Sequence, residues 1–99
     1  MSDKNNTNGK ASEDETQLLK FPCDFPIKIF GHETDDFVDN ILTIIQKHFA
    51  SIQKDDLTCR HSKDNKYLAI TVTVHAQSKA ELDAVYLELN ASDLVVMTL

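Results

Sequence analysis

Apolar side chains recur along this chain at two periods, and the period changes at definite places. From Phe25 they alternate with other positions: Phe25, Ile27 and Ile29 against Pro26, Lys28 and Phe30. That is the period of a strand. Pro26 falls near its start, where a missing donor is tolerated, and Gly31 is expected to end it. Thr34 then predicts an N-cap, with Asp35 and Asp36 in the first helical turn. Phe37, Ile41, Ile44, Ile45 and His48 repeat at helical spacing, widened by Val38, Leu42 and Phe49, so a helix is predicted from about 35 to about 50. Leu57, Cys59 and His61 alternate with Thr58, Arg60 and Ser62, which predicts a short strand. "KDNK" at 63–66 reads as a turn. "YLAITVTVHA" at 67–76 is the cleanest alternation, with Leu68, Ile70, Val72 and Val74 on one face. The two strands read as a hairpin.

"SKAE" at 78–81 has the form of a capping box, Ser78 accepting from the Glu81 amide and the Glu81 carboxylate returning to the Ser78 amide. Leu82, Val85, Tyr86 and Leu89 give the buried stripe of a second helix, and Asn90 suits a left-handed C-terminal residue. Leu94 to Leu99 reads as a last strand, with Val95, Met97 and Leu99 on one face and Leu94, Val96 and Thr98 on the other.

Strand, helix, strand, strand, helix, strand predicts an α+β fold, the ferredoxin-like βαββαβ sandwich. Its four-stranded antiparallel sheet would have the order 4-1-3-2 with both helices on one face. The other face is then open. By alternation it should carry Lys28, Phe30, Tyr67, Ala69, Thr71, Thr73, His75, Leu94, Val96 and Thr98. Phe30, Leu94 and Val96 make it more apolar than a solvated face requires; a contiguous apolar patch marks an interface, the alternatives being that the N-terminal segment folds back over it through Leu18, Leu19 and Phe21 or that the face stays wet with its threonines.

Composition adds limits. Ninety-nine residues form one domain at most. Residues 1–16 have Met1 and Ala11 as their only apolar side chains and read as a disordered tail, leaving 17–99 as the single domain. The net charge of −6 argues against nucleic acid and anionic lipid as partners. The N-terminus lacks the apolar core of a signal peptide, no run approaches a transmembrane helix, and two cysteines make no disulfide framework. The expected location is cytoplasmic, with reduced thiols.

"FPCDFPIKIFG" at 21–31, with the acid-capped helix ending "IIQKH", resembles the start of the YbeD-like family of small bacterial proteins. "YLAITVTVHAQSKAELDAVYLELNASDLVVMTL" resembles its end, so the likeness covers roughly residues 20–99. The resemblance implies a fold similar to small-molecule-sensing ACT domains, association through strands or sheets, a bacterial cytosolic setting and a link to lipoate metabolism. It carries over no catalytic residues.

Specific chemistries find little footing. Cys23 precedes the first strand and Cys59 sits in the second, whereas a metal-carrying ferredoxin-like domain needs two cysteines in one loop. Cys59 with His61 supplies two ligands, and His75 could join only in a favourable register. Glu33, Asp35, Asp36 and Asp39 cluster at the start of the first helix and are explained by its dipole rather than by a divalent cation. An acylphosphatase-type phosphate cradle needs an arginine near the first strand, and the only arginine is Arg60. An RNA-recognition module needs more stacking aromatics than Phe30 and Tyr67, in basic surroundings. No cofactor, metal or catalytic residue is expected.

The sequence therefore points to a non-enzymatic regulatory or protein-interaction module whose partner is unknown, a homodimer being one form of it. Its interaction face would be Lys28, Phe30, Tyr67, Thr71, Thr73, His75, Leu94 and Val96. The alternative is an ACT-like small-ligand sensor, linked to lipoate metabolism, with its ligand loop at Gly31, His32 and Glu33. There Gly31 permits close approach, although Asp35 and Asp36 would repel an anion.

Overall fold

The alternation that begins at Phe25 becomes a ten-residue strand, β1, Cys23–His32. It is followed by α1, Phe37–His48, a short 3-10 turn at Lys54–Asp56, β2, Thr58–His61, and β3, Tyr67–Ala76. Helix α2, Lys79–Ala91, and β4, Val95–Thr98, complete the chain. This computed structural model describes residues 20–99. The expected tail at 1–16, the start of the domain at 17, and Leu18 and Leu19 lie outside the described residues. The sheet order is β2-β3-β1-β4, with every neighbouring pair antiparallel. This is the βαββαβ sandwich expected from the sequence.

One core lies between sheet and helices. Ile27, Ile29, Ile70, Val72 and Val74 from the central strands meet Phe37, Ile41 and Ile45 of α1 and Leu82, Val85 and Leu89 of α2, all 2% exposed or less. Burying a side chain of this size contributes roughly 1.5–3 kcal/mol. The helices are tied to each other by Lys47 and His48 of α1, both bonded to Glu88 of α2. Ser92 adds a bond from its hydroxyl to Asn40 Oδ1 at 3.0 Å.

Four local expectations are corrected. Gly31 does not end β1. It lies inside the strand, opposite Leu68 of β3 and Val95 of β4. Helix α1 starts at Phe37, because Thr34 spends its hydroxyl on the Asp36 carboxylate (2.9 Å) rather than on an amide. At α2, Ser78 Oγ does accept from the Glu81 N–H at 3.2 Å, but the Glu81 carboxylate accepts from the N–H of Gln77, at 2.8 Å. Asn90 stays helical, its amide donating to the Tyr86 carbonyl (2.9 Å) and its oxygen accepting from the Thr98 hydroxyl (3.3 Å). Among the described residues other than glycine, only Asn65 has a positive φ, 58°, in the β2–β3 turn.

Gly31 has a steric task. A Cβ there would collide with the Leu94 carbonyl and the ring of Phe37. Phe37 therefore packs against bare backbone at the end of the sheet where α1 departs.

Candidate functional site: the open sheet face

Directly opposed residues of an antiparallel pair share a face. Ile27 with Val72 and Ile29 with Ile70 point to the helices. The intervening pairs therefore point away: Asp24 with His75, Pro26 with Thr73, Lys28 with Thr71, Phe30 with Ala69, and His32 with Tyr67. Strand β2 extends two of these rows, placing Thr58 beside Thr71 and Arg60 beside Ala69. On the other flank Met97 lies opposite Phe30. Leu99 exchanges both backbone bonds with Lys28, at 2.8 and 3.3 Å, and so extends that row.

Strand β4 departs from the expected pattern. Its register shifts between Phe30 and Gly31, so Met97 opposes Phe30, Val95 opposes Gly31, and Val96 is left as the extra residue. Thr98 opposes Ile29 and bonds Asn90, which puts it on the helix side. Leu94 is half-buried and packs against the core. Of the three β4 residues expected on the open face, Thr98 and Leu94 are therefore elsewhere, and Val96 is exposed at the bulge. Met97 and Leu99 take their places. Strict alternation across the bulge misassigned Thr98, Met97 and Leu99, while Leu94 lies just before β4 and packs inward from there.

The remaining members come together. Lys28, Phe30, Ala69 and Thr71, with Thr58, Cys59 and Arg60, line a shallow groove of about 380 Å³. Next to it Phe30, Arg60, Tyr67 and Ala69 border a second depression of about 210 Å³, with His61, Ser62 and Leu68. Ala69 makes the hollow, because it is a methyl group between Phe30 on one side and Arg60 on the other. The His32 ring lies over Tyr67 at a centroid distance of 5.1 Å and closes one end. Thr73 and His75 lie further along, where His75 bonds Asp24 at 2.9 Å.

The face is also unlike the rest of the chain in charge. Asp24 is its one acidic side chain and is held by His75. Lys28 and Arg60 make no ion pair among the described residues. With neutral histidines these strand positions sum to +1, on a chain of −6.

The residues of the expected ligand loop are drawn to three different places. Gly31 is buried against Phe37, His32 joins the open face, and Glu33 bonds His61 Nδ1 at 2.7 Å on the β2 edge. Two of the acids around the start of α1 are likewise engaged locally, Asp36 with Thr34 and Asp39, in the first turn, with Lys54 at 3.9 Å. Cys59 and His61 lie on the helix side, opposite Ile70 and Leu68, whereas His75 is on the open face. Cys23 is at the far end of β1, opposite Ala76. Among the described residues no three His, Cys, Asp or Glu side chains gather to hold a metal ion.

Sequence reasoning missed Arg60, Thr58, Met97 and Leu99 as members of the face. The first two could have been found by carrying the β3 alternation across the hairpin. The β4 pair could not, because the bulge leaves no composition signal.

Among known proteins, a family model described as "Protein of unknown function (DUF493)" matches residues 16–99. A UPF0250 protein of Chromobacterium violaceum is 38% identical over 88 residues, covering 89% of this chain and 99% of that protein. A UPF0250 protein of Ralstonia nicotianae is 35% identical over 99 residues and matches over the full length of both chains. Among solved structures, protein HP0495 from H. pylori superposes with a TM-score of 0.66 at 15% identity, over 94% of this chain and 98% of that one. The ACT domain from the GTP pyrophosphokinase of Chlorobium tepidum gives 0.54 at 15% identity, over 77% and 84%. At that identity the two structures share the fold with this chain. No helix among the described residues is long and apolar enough to cross a membrane.

Proposed function

This chain belongs to the DUF493 family of proteins of unknown function, which is the UPF0250 and YbeD-like family, and from that premise we propose that it is a non-enzymatic protein-interaction module of the bacterial cytoplasm that works through its open sheet face. One observation carries the reading. Of the five large apolar side chains exposed among the described residues, four are on the sheet: Tyr67 (44%), Val96 (53%), Met97 (47%) and Leu99 (62%). Tyr67 borders the depression beside Phe30, Met97 lies opposite Phe30, Leu99 lies beside Lys28 and Val96 is exposed at the adjoining bulge, whereas the fifth, Leu87, stands on α2. A clustered apolar surface of this kind is costly to leave in water and suits a protein partner.

The groove itself suits binding, since it sets two cations, Lys28 and Arg60, beside the apolar surface of Phe30 and Ala69. The free thiols of Cys23 and Cys59 suit a reducing compartment. A small-ligand sensor, with lipoyl compounds among its candidate ligands, has less support, because Phe37 fills the space beside Gly31 and His61 engages Glu33.

Site-specific photo-crosslinking in the source cell tests the reading. A photoreactive residue at Phe30 or Met97 should give discrete protein adducts, a second copy of the chain included, and one at Leu87 should not. Equal labelling from all three positions, or none from the sheet, would overturn it.

A further inference from the structure

The apolar patch does not by itself say what lies on it, but the two cations within the groove narrow the choice. Arg60 is the chain's only arginine, and it stands on the open side of an edge strand whose four residues are all exposed. Lys28 stands across the groove on β1. Neither has an ionic partner among the described residues, although acids outnumber bases in the chain by 16 to 10. Elsewhere on the surface Lys47, Lys54 and Lys79 each pair with a carboxylate, and although Lys63 and Lys66 in the β2–β3 turn do not among the described residues, Lys28 and Arg60 are set apart by sharing one groove. Between the two cations the floor is uncharged: Ala69 and Thr71, walled by Phe30.

We infer that this groove receives an acidic, extended segment of a partner protein, its carboxylates held by Lys28 and Arg60 and an apolar side chain between them seated on Ala69 against Phe30. The inference rests on the open face being the interaction surface. Spacing supports an extended chain. Lys28 and Arg60 are two strands apart and two residues out of line, which places their backbones about 12 Å apart. Glutamates four residues apart on an extended segment project to one side and are about 13 Å apart, with the middle residue of that side centred between them. Arginine suits the task because its planar fork can hold a carboxylate through two bonds. A basic partner would meet two like charges that have no ionic partner among the described residues, and a purely apolar one would bury them without compensation.

The test uses the full chain and a fluorescein-labelled heptapeptide of serines with glutamate at positions two and six and leucine at position four. Anisotropy should show saturable binding that weakens with added salt. The peptide with lysines in place of the glutamates should bind at least about tenfold more weakly, and Arg60→Glu or Lys28→Glu should each lower affinity by about tenfold. Replacing the leucine by serine should also weaken binding. Equal binding of the lysine peptide, or unchanged affinity in both charge variants, overturns the inference. So does full displacement by acetate at the same carboxylate concentration, which would mark a point-anion site. Light scattering that shows a second copy covering the groove, with no competition from the peptide, overturns it too. If the peptide fails while crosslinks from Phe30 and Met97 persist, the interaction surface stands and only the acidic occupant falls.

Discussion

Replacing Gly31 by alanine adds one methyl group where the fold has no room for it. The new Cβ would lie 2.6 Å from Phe37 Cε1, and closer still to Phe37 Cζ and the Leu94 carbonyl oxygen. No glycine among the described residues has a positive φ, so backbone strain contributes nothing and the cost is steric. Neither neighbour can step aside freely. Phe37 is 0% exposed at the head of α1, and the Leu94 carbonyl belongs to the backbone entering β4. Overpacking a closed site costs about 1–3 kcal/mol, and with backbone on one side and a buried ring on the other the upper part of that range applies. A loss of about 2–3 kcal/mol is a large share of the roughly 5–15 kcal/mol that holds a domain together. At about 4–8 °C per kcal/mol for a domain of this size, the melting temperature should fall by roughly 10–20 °C. Circular dichroism on heating, and urea titration, measure it. The double variant with Phe37→Leu should lose at least about 1 kcal/mol less than the two single losses combined, because the shortened side chain vacates the collision. A Gly31→Ala protein that melts within about 2 °C of the parent would refute the steric account. Strict additivity with Phe37→Leu would refute the ring's part in it.

Two further outcomes follow from the helices. Ser78→Ala removes the only side-chain acceptor for the Glu81 amide among the described residues and should lower stability by about 1 kcal/mol in urea titration, whereas Ser78→Asp should retain most of it. Glu88 has its carboxyl held below the usual range, first by the hydrogen bond from Lys47 and then by that from His48. Its folded pKa is depressed, so its contribution is present above the unfolded value near 4.5 and fades as the pH falls through the lowered one. Urea midpoints measured from pH 7 down to pH 3 should therefore fall less steeply for Glu88→Gln than for the parent, and identical slopes would show that the pair adds nothing.

The sequence made the central strands and the helix stripes legible because each repeats one period over several turns or residues. Leu68, Ile70, Val72 and Val74 alternate without a break, and all four are buried. The ends were harder, because a terminal residue has competing partners. Thr34 could have served an amide but bonds Asp36, and Asn90 could have turned left-handed but is held by Tyr86 and Thr98. The site divided along the same line. Lys28, Phe30, Tyr67, Ala69 and Thr71 are on long regular strands and were placed on the open face. Thr98 follows a bulge at Val96, and one unpaired residue reverses every later assignment in a strand, whereas Leu94 lies just before β4, where strand alternation does not yet apply.

The same bulge explains why the apolar patch exists. Without it, regular alternation would leave a threonine on the open side of β4. With the extra residue inserted at Val96, Met97 and Leu99 turn outward beside Phe30 and Lys28, while Thr98 turns inward to bond Asn90. The shift coincides with Gly31, the position where β1 gives up its side chain to Phe37 and the Leu94 carbonyl. Core packing at the head of α1 and the character of the exposed face are thus fixed by one short stretch of paired strand. A change at Gly31 that disturbs the β1–β4 register should alter binding at Phe30 and Met97 even under conditions in which the protein stays folded. The groove over Ala69, built from β1, β3 and β2, should feel it less.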